Sequence, residues 1–501
     1  MSPEAKLSWM IAAIAVALYM LIMAWLYTAL EKSGPLVNRT ESHGRGGTLP
    51  RIKYLKRFIF SHWGPAMNLE GVSEVERRFA TYVDGLVQVI GRADRAGPLR
   101  DYCVGLVMPC ERKSVEPMAA VTAPDRVAAQ HQSLLHFVGQ SAWSDEEVLA
   151  KVRELVLPAI ERHGAIEAWI IDDTSFPKYG RHSVGVARQY CGELGKTDNC
   201  QVTVTLSIAN RAASLPIAYR LYLPREWTSD AARCRKAGVP KGIKFASKTD
   251  IALAQIEAAC AAGIPRGVVL MDHAYGGSLE LRTSMSALGL RYVASIDPQT
   301  SVWAPGVEPL PPKPWSGRGG KPSKRLRRDG QHRPCSVKQL ALGLPKRAWR
   351  TIRWREGTAD WLSSRFARVR VRPARGDDRM AERRPEEWLL IEWPSGENEP
   401  TNYWLSNLAE DIAFERLVDL AKMRWRIERD YQELKQEIGL GHYEGRGWRG
   451  FHHHATLCIA AYGFLISERE TIPPSGYRPT AFSPQPGLPP SYRPRGSAVA
   501  A

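Results

Sequence analysis

No Cys-x-x-Cys pair occurs in this sequence, and its eight cysteines stand far apart. That excludes a paired-cysteine zinc site and a disulfide framework, and points to reduced thiols in a reducing compartment. Acid is also scarce: 52 Asp and Glu face 69 Lys and Arg, for a net charge of +17 and a pI of about 9.6. Such a balance suits a polyanionic partner, nucleic acid ahead of an anionic membrane surface. No internal repeat is visible. His452, His453 and His454 are consecutive, so on a helix they point in different directions and cannot ligate one metal together. A helix start or a DNA contact is the expectation for them.

Charge is missing altogether from residues 9–30, Trp9 through Leu30, a run long enough to span a bilayer. The cations that follow, from Lys32 to Arg57, outnumber Lys6 before it and would leave the bulk of the chain in the cytoplasm. The run is long for a cleavable signal, and no good small-residue cleavage site closes it. The competing reading is an over-long gene start, with Met67 opening the true chain.

What is present is a chain of 501 residues, 44% apolar, enough for roughly two to four domains. Residues 1–66 form the apolar segment and a linker. Residues 67–163 carry helical spacing (Phe79, Tyr82, Val83, Leu86) and a capping signal at Ser144 before residues 148–157. This helical domain is expected to bind DNA, with Arg112, Lys113, Arg126, His131, Gln132 and His136 on its polar side. From residue 164 to 298 the period changes to strand, strand, strand, helix, strand, helix, strand. That order implies an α/β layer with a mixed sheet. Asp173 and Asp272 each end a strand, where open α/β sheets place their sites.

Residues 299–403 read as a basic, β-rich insertion. Residues 318–355 hold thirteen cations against one acid, Asp329, a composition suited to phosphate contacts. Trp303, Trp315, Trp349 and Trp354 interleave the charge and either stack on bases or pack within the subdomain. Residues 404–471 hold a long helix, 411–438, and an apolar helix behind it. Residues 472–501 are Pro-, Ser- and Gly-rich and read as a disordered tail.

On the long helix, Arg424, Glu428, Tyr431 and Lys435 fall on one face, an acid among two cations and a phenol. By itself this pattern also describes a solvated, salt-bridged face. With Asp173 and Asp272, Glu428 would complete three carboxylates above a sheet, an oxygen-only set that selects Mg²⁺ or Mn²⁺ for phosphoryl transfer.

These motifs resemble bacterial insertion-sequence transposases of the DDE type, which have a ribonuclease-H-like core. The resemblance rests on Ile-Ile-Asp-Asp-Thr-Ser-Phe-Pro-Lys at 170–178, Val-Val-Leu-Met-Asp-His-Ala-Tyr-Gly at 268–276, and Arg424, Glu428 and Lys435 at the spacing of a Tyr-Arg-Glu-Lys signature. The signature's first position holds Ala421, with Tyr431 as a stand-in one turn beyond Glu428. The family's first acid directly precedes a Thr, which selects Asp173 over Asp172.

The resemblance implies a ribonuclease-H-like mixed sheet with flanking helices, interrupted by the β-rich insertion and preceded by a helical N-terminal domain. It implies metal ligands Asp173, Asp272 and Glu428, phosphate contacts from Arg424 and Lys435 with help from Lys178 and Arg181, and Mg²⁺ with Mn²⁺ as a substitute. It further implies binding to terminal inverted repeats and target DNA, cut-and-paste transposition, a homodimer on DNA, and a cytoplasmic, nucleoid-associated location. The alternative is a non-catalytic DNA-binding protein derived from such an enzyme.

Overall fold

The computed structural model describes residues 74–110, 112–315, 321, 323–356 and 361–471. The apolar run 9–30, Met67, part of the 318–355 basic run and the tail from 472 lie outside them. No helix among the described residues is long and apolar enough to cross a membrane.

Five helices open the described chain: α1 Glu74–Val87, α2 Ala96–Val107, α3 Val115–Thr122, α4 Val127–Gly139 and α5 Asp145–Glu161. Apolar spacing makes α1: Phe79, Tyr82, Val83 and Leu86 share its buried face. The Ser144 side chain accepts from Glu147 N at 3.2 Å, so α5 begins at Asp145 rather than Val148.

The sheet begins with β1 Ala168–Pro177, β2 Ala187–Cys191, β3 Lys196–Ala209 and β4 Ser214–Leu221. Helix α6 Lys248–Ala261, β5 Val268–Met271, α7 Leu279–Ala287 and β6 Tyr292–Ser295 follow. β1, β5 and β6 are parallel neighbours, and β3 runs antiparallel to β1. β2 and β4 divide the far edge of β3 between them. This is the mixed sheet expected of a ribonuclease-H-like core. β2 is an additional strand: its alternation is largely polar, and three of its five residues are at least partly exposed.

The insertion adds β7 Ser301–Trp303, β8 Cys335–Ser336, α8 Val337–Leu342, β9 Arg350–Glu356, β10 Trp361–Pro373, β11 Glu387–Trp393 and β12 Asn402–Ser406. It does not form a sheet of its own. β12 pairs antiparallel with β6, so β11 and β10 extend the same twelve-stranded sheet. Trp303 is buried and donates to Asp377, Trp349 meets Trp393 edge-on, and Trp354 meets Phe366 edge-on. Packing accounts for these three indoles.

The expected single helix over 411–438 is three segments. α9 Phe414–Lys422 ends before a turn at Met423 and Arg424, α10 Trp425–Glu433 follows, and Leu434–Ile438 widens into a π-helical turn. Three-residue hydrogen bonds at the break (Met423 N to Leu420 O, Ile427 N to Arg424 O) tighten the chain there. Gly439 then ends the element with φ +82°, and a Cβ on it would overlap the Lys113 side chain.

The last helix, α11 Trp448–Thr471, is buried on every side over most of its length. It closes a hydrophobic core shared by the N-terminal helices and the sheet. Phe464 meets Phe79 at 4.8 Å, and Tyr82 donates to the Ala460 carbonyl at 2.8 Å. The histidine triplet sits inside this core. His452, His453 and His454 are all buried, so the DNA contact entertained for them does not hold.

Candidate active site

Strand parity decides which acid faces where. Successive residues of β1 point to opposite sides of the sheet. Asp172 stands across from Thr205 and Asp173 from Val204. The Val204 side is covered by α6: Gln255 donates to the Val204 carbonyl, and Lys248 forms an ion pair with Asp173. Tyr275 OH also donates to Asp173. Asp172 faces the other way, toward α10. Arg424 Nη1 donates to its Oδ2 at 2.6 Å, while Arg424 Nη2 donates to Glu428 Oε1 at 2.7 Å.

Asp272 reaches the same place from β5. Ile171 pairs with Met271, the last pair of the parallel ladder, so the next residues, Asp172 and Asp272, stand side by side. β5 ends there, but β1 runs on beside β3 to Pro177, so Asp172 and Asp173 lie within their strand and do not end it as expected. Asp272 then caps the helical turn His273–Gly276, its Oδ1 accepting from Tyr275 N at 3.1 Å. Gly276 makes that turn fit, because a Cβ there would lie 2.1 Å from the Ser295 carbonyl oxygen of β6.

The electrostatics follow from this crowding. Burial pushes the Asp172 carboxyl up to about 7; Arg424 pulls it back, and Asp272 and Asp173 push further. Arg424 is itself disfavoured by burial, yet Asp172, Glu428 and Asp272 outweigh that and hold its guanidinium above the ordinary range. One cation therefore bridges the half-buried Asp172 to Glu428, whose side chain is 61% exposed.

The remaining expected residues are placed as follows. Lys435 lies in the π-helical turn and donates to Ser175 O and to Glu193, both at 2.7 Å, tying the helix to the far end of β1. Lys178 donates to Tyr443 O at 2.9 Å, and burial lowers its ammonium. Arg181 is exposed. Tyr431 is buried, and burial raises its phenol; it does not share the open surface of Glu428. Ala421 is buried within α9. The structure thus brings Asp172, Asp272, Arg424 and Glu428 together and sets Asp173 on the α6 side, with Lys248 and Tyr275 as partners that the sequence reading did not single out. No local pattern marks Lys248, which opens a helix 75 residues from Asp173.

A family model described as DDE superfamily endonuclease matches residues 85–360. The chain belongs to this family. The match takes in Asp172, Asp173 and Asp272 and stops short of Arg424, Glu428 and Lys435. A curated relative, "Probable transposase for insertion sequence element IS701" of Microchaete diplosiphon, is 31% identical over 194 residues, covering 38% of this chain and 47% of that protein. The chain spans about half the length of that relative.

DDE superfamily endonucleases generally work with divalent metal ions. Among the described residues no three His, Cys, Asp or Glu side chains are arranged to hold one; the Arg424 guanidinium lies between Asp172 and Glu428. The donor chemistry nonetheless fits a hard cation. Two adjacent carboxylates, Asp172 and Asp272, one held up to about 7 by burial, gain most from a concentrated positive charge.

Proposed function

We propose that this DDE endonuclease is a transposase that binds the ends of its insertion sequence, cleaves DNA there and joins the freed 3′ end to target DNA. The observation that carries the reading is that Asp172 and Asp272 stand side by side just past the end of the parallel β1–β5 ladder, with Asp172 linked through Arg424 to Glu428. Asp172, Asp272 and Glu428 would hold Mg²⁺, or Mn²⁺ in its place, which supplies charge stabilisation and an activated oxygen nucleophile for in-line displacement at phosphorus. The chain's own groups do the rest. Arg424 neutralises Asp172 and Glu428, and with those acids holding the cation its guanidinium would be free to pair with a substrate phosphate. Lys435 uses two of its three donors on Ser175 and Glu193 and keeps a third for a substrate phosphate. Asp173, the acid that the Thr-adjacent pattern selects, is the rival for the first metal-ligand role. Its link to the Asp272 turn through Tyr275 favours that second reading. Two DNA ends must be paired, so two copies would act together on DNA.

The test is incubation of the full chain with the DNA flanking its own gene and Mg²⁺, with products mapped to the nucleotide. Cleavage at the element's ends, lost in Asp272→Ala with DNA binding retained, is the expected result. Undiminished cleavage by that variant would remove the metal-site assignment. Salt-sensitive DNA binding without cleavage in either metal would favour the non-catalytic alternative.

A further inference from the structure

We propose that the exposed face of α4 reads a groove of duplex DNA while the cleft beside it grips the phosphodiester backbone. This rests on the DNA-processing reading above and adds a place and a register to it. α4 turns Leu134, Phe137 and Val138 into the core. Gln132, His136 and the following Gln140 stay exposed at four-residue steps, which sets them in one row. The row separates two clefts, of about 660 and 550 Å³, and all three side chains line both. A Gln amide carries a donor and an acceptor side by side, the pattern that matches an adenine edge in the major groove.

The larger cleft is walled by Arg235, Lys236, Arg446 and Arg449, and no acid lines it. Backbone hydrogen bonds fix the wall: Val184 N donates to Arg446 O at 3.1 Å, and Trp448 N to Ala237 O at 2.8 Å. Arg449 is aimed at the end of α4 by its bond to Gln140 O at 2.8 Å. A prebuilt wall of cations with no carboxylate among them suits phosphates. The smaller cleft differs, because Arg92 there is paired with Asp94. Most of the salt-dependent affinity therefore belongs to the larger cleft.

The connection to the acids gives the register. Tyr443 lines the larger cleft, and Lys178 holds its carbonyl. Lys178 lies just past the end of β1, and the chain from Asp172 covers about 20 Å at ~3.3 Å per residue. That distance is roughly six base pairs at ~3.4 Å per step. The cleft would grip DNA about that far from the phosphate at the acids.

The test titrates the full chain with two labelled duplexes, one carrying the DNA flanking its gene and one scrambled, over a range of NaCl concentrations. Arg235→Gln/Lys236→Gln/Arg446→Gln should weaken both complexes. It should also reduce the slope of log affinity against log salt by roughly 2 to 3, at about 0.9 per phosphate. Arg446→Lys should keep the wild-type slope. Gln132→Ala/His136→Ala should leave the slope alone and lose about tenfold or more of the preference for the flanking duplex. Melting curves matching wild type establish that the variants fold, and protection lost in the triple variant should lie about six base pairs from the cleaved phosphate. An unchanged slope overturns the phosphate cleft, and an unchanged preference overturns the reading row. Cleft-dependent binding of poly-glutamate in place of duplex would also overturn the proposal. A wild-type chain that binds neither duplex overturns this proposal and the DNA-processing reading together. Cleavage of flanking DNA with an unchanged slope in the triple variant removes this proposal alone.

Discussion

Asp172 and Asp173 are neighbours in sequence and face opposite sides of β1, so their substitution should separate their roles. Under the proposed chemistry, Asp172→Asn removes a carboxylate oxygen beside Asp272 and should reduce Mg²⁺-dependent cleavage by about a hundred- to a thousandfold, the scale on which deleting one charge-stabilising group acts. Asp173→Asn leaves that side intact but loses the ion pair with Lys248, and should act chiefly on stability. Single-turnover cleavage and urea unfolding, measured on both variants, check this; cleavage lost only in Asp173→Asn would return the first position to that residue. Gly276 offers a second residue-scale test. A methyl there would collide with the Ser295 carbonyl, so Gly276→Ala should destabilise the fold by about 1–3 kcal/mol and displace the turn that Asp272 caps. The variant is expected to melt earlier and to cleave more slowly than its residual folded fraction explains.

At the scale of elements, α11 carries a pH dependence. Burial holds the imidazoles of His452, His453 and His454 down to about 4, 3 and 4. Each is fixed by contacts: His454 Nδ1 accepts from the Tyr102 hydroxyl at 2.8 Å and its Nε2 donates to the Gly439 carbonyl at 3.0 Å, His452 Nδ1 donates to the Trp448 carbonyl at 2.9 Å, and His453 stacks on Trp143 at 3.6 Å. The unfolded chain binds protons below its ordinary imidazole pKa of about 6.5, while the folded chain does not until near 4. The histidines' contribution to stability therefore falls as pH drops through that window, by up to ~3 kcal/mol for each at ~1.4 kcal/mol per unit. Asp145, 3.8 Å from His453, and Asp172 are held up to about 7 by burial, and Asp430 up to about 6; all three act in the opposite sense, so the histidine contribution is read as a difference between wild type and a histidine variant. His453→Phe, which keeps a ring on Trp143, should lose less stability than wild type between pH 7.5 and 5 in urea titrations.

The same helix shows what the sequence could and could not reveal. Its apolar character is readable, and so is the strand that ends before Asp272, because buried strands and long helices announce themselves by composition and period; the continuation of β1 past Asp172 and Asp173 to Pro177 is not, because the apolar run stops at Ile171. The choice between Asp172 and Asp173 is not either, because parity has no meaning until the register against β5 is known. Nor is the break at Met423 and Arg424: the apolar period of α9 and α10 runs through it, and only the backbone shows the three-residue bonds that interrupt the helix. β2 escaped notice because a short, half-exposed strand has little apolar signal.

For the whole molecule, the N-terminal helices are not closed until the end of the chain arrives. α1, α2, α4 and α5 all contribute to the core that α11 completes, and Gly463 lets α11 approach Val152, Val156 and Tyr82 closely. Arg78 of α1 pairs with the buried Glu468 near the end of α11, at 2.7 Å. A fragment of residues 67–163 would leave Phe79, Tyr82, Val152 and Val156 facing water where α11 belongs. At ~25 cal/mol per Å² of apolar surface, losing that cover removes several kcal/mol, a large share of what a helical segment of this size can muster. The fragment should therefore show weak near-ultraviolet circular dichroism and no cooperative melt. A chain from Met67 through residue 471 keeps every partner named here and should unfold in one transition, with tryptophan fluorescence and far-ultraviolet dichroism coinciding. Two separated transitions in that chain, or a fragment that melts cooperatively alone, would show that the helices form an independent unit. In that case the α4 row could move relative to the acids, and the spacing of about six base pairs between them would no longer be fixed by the fold.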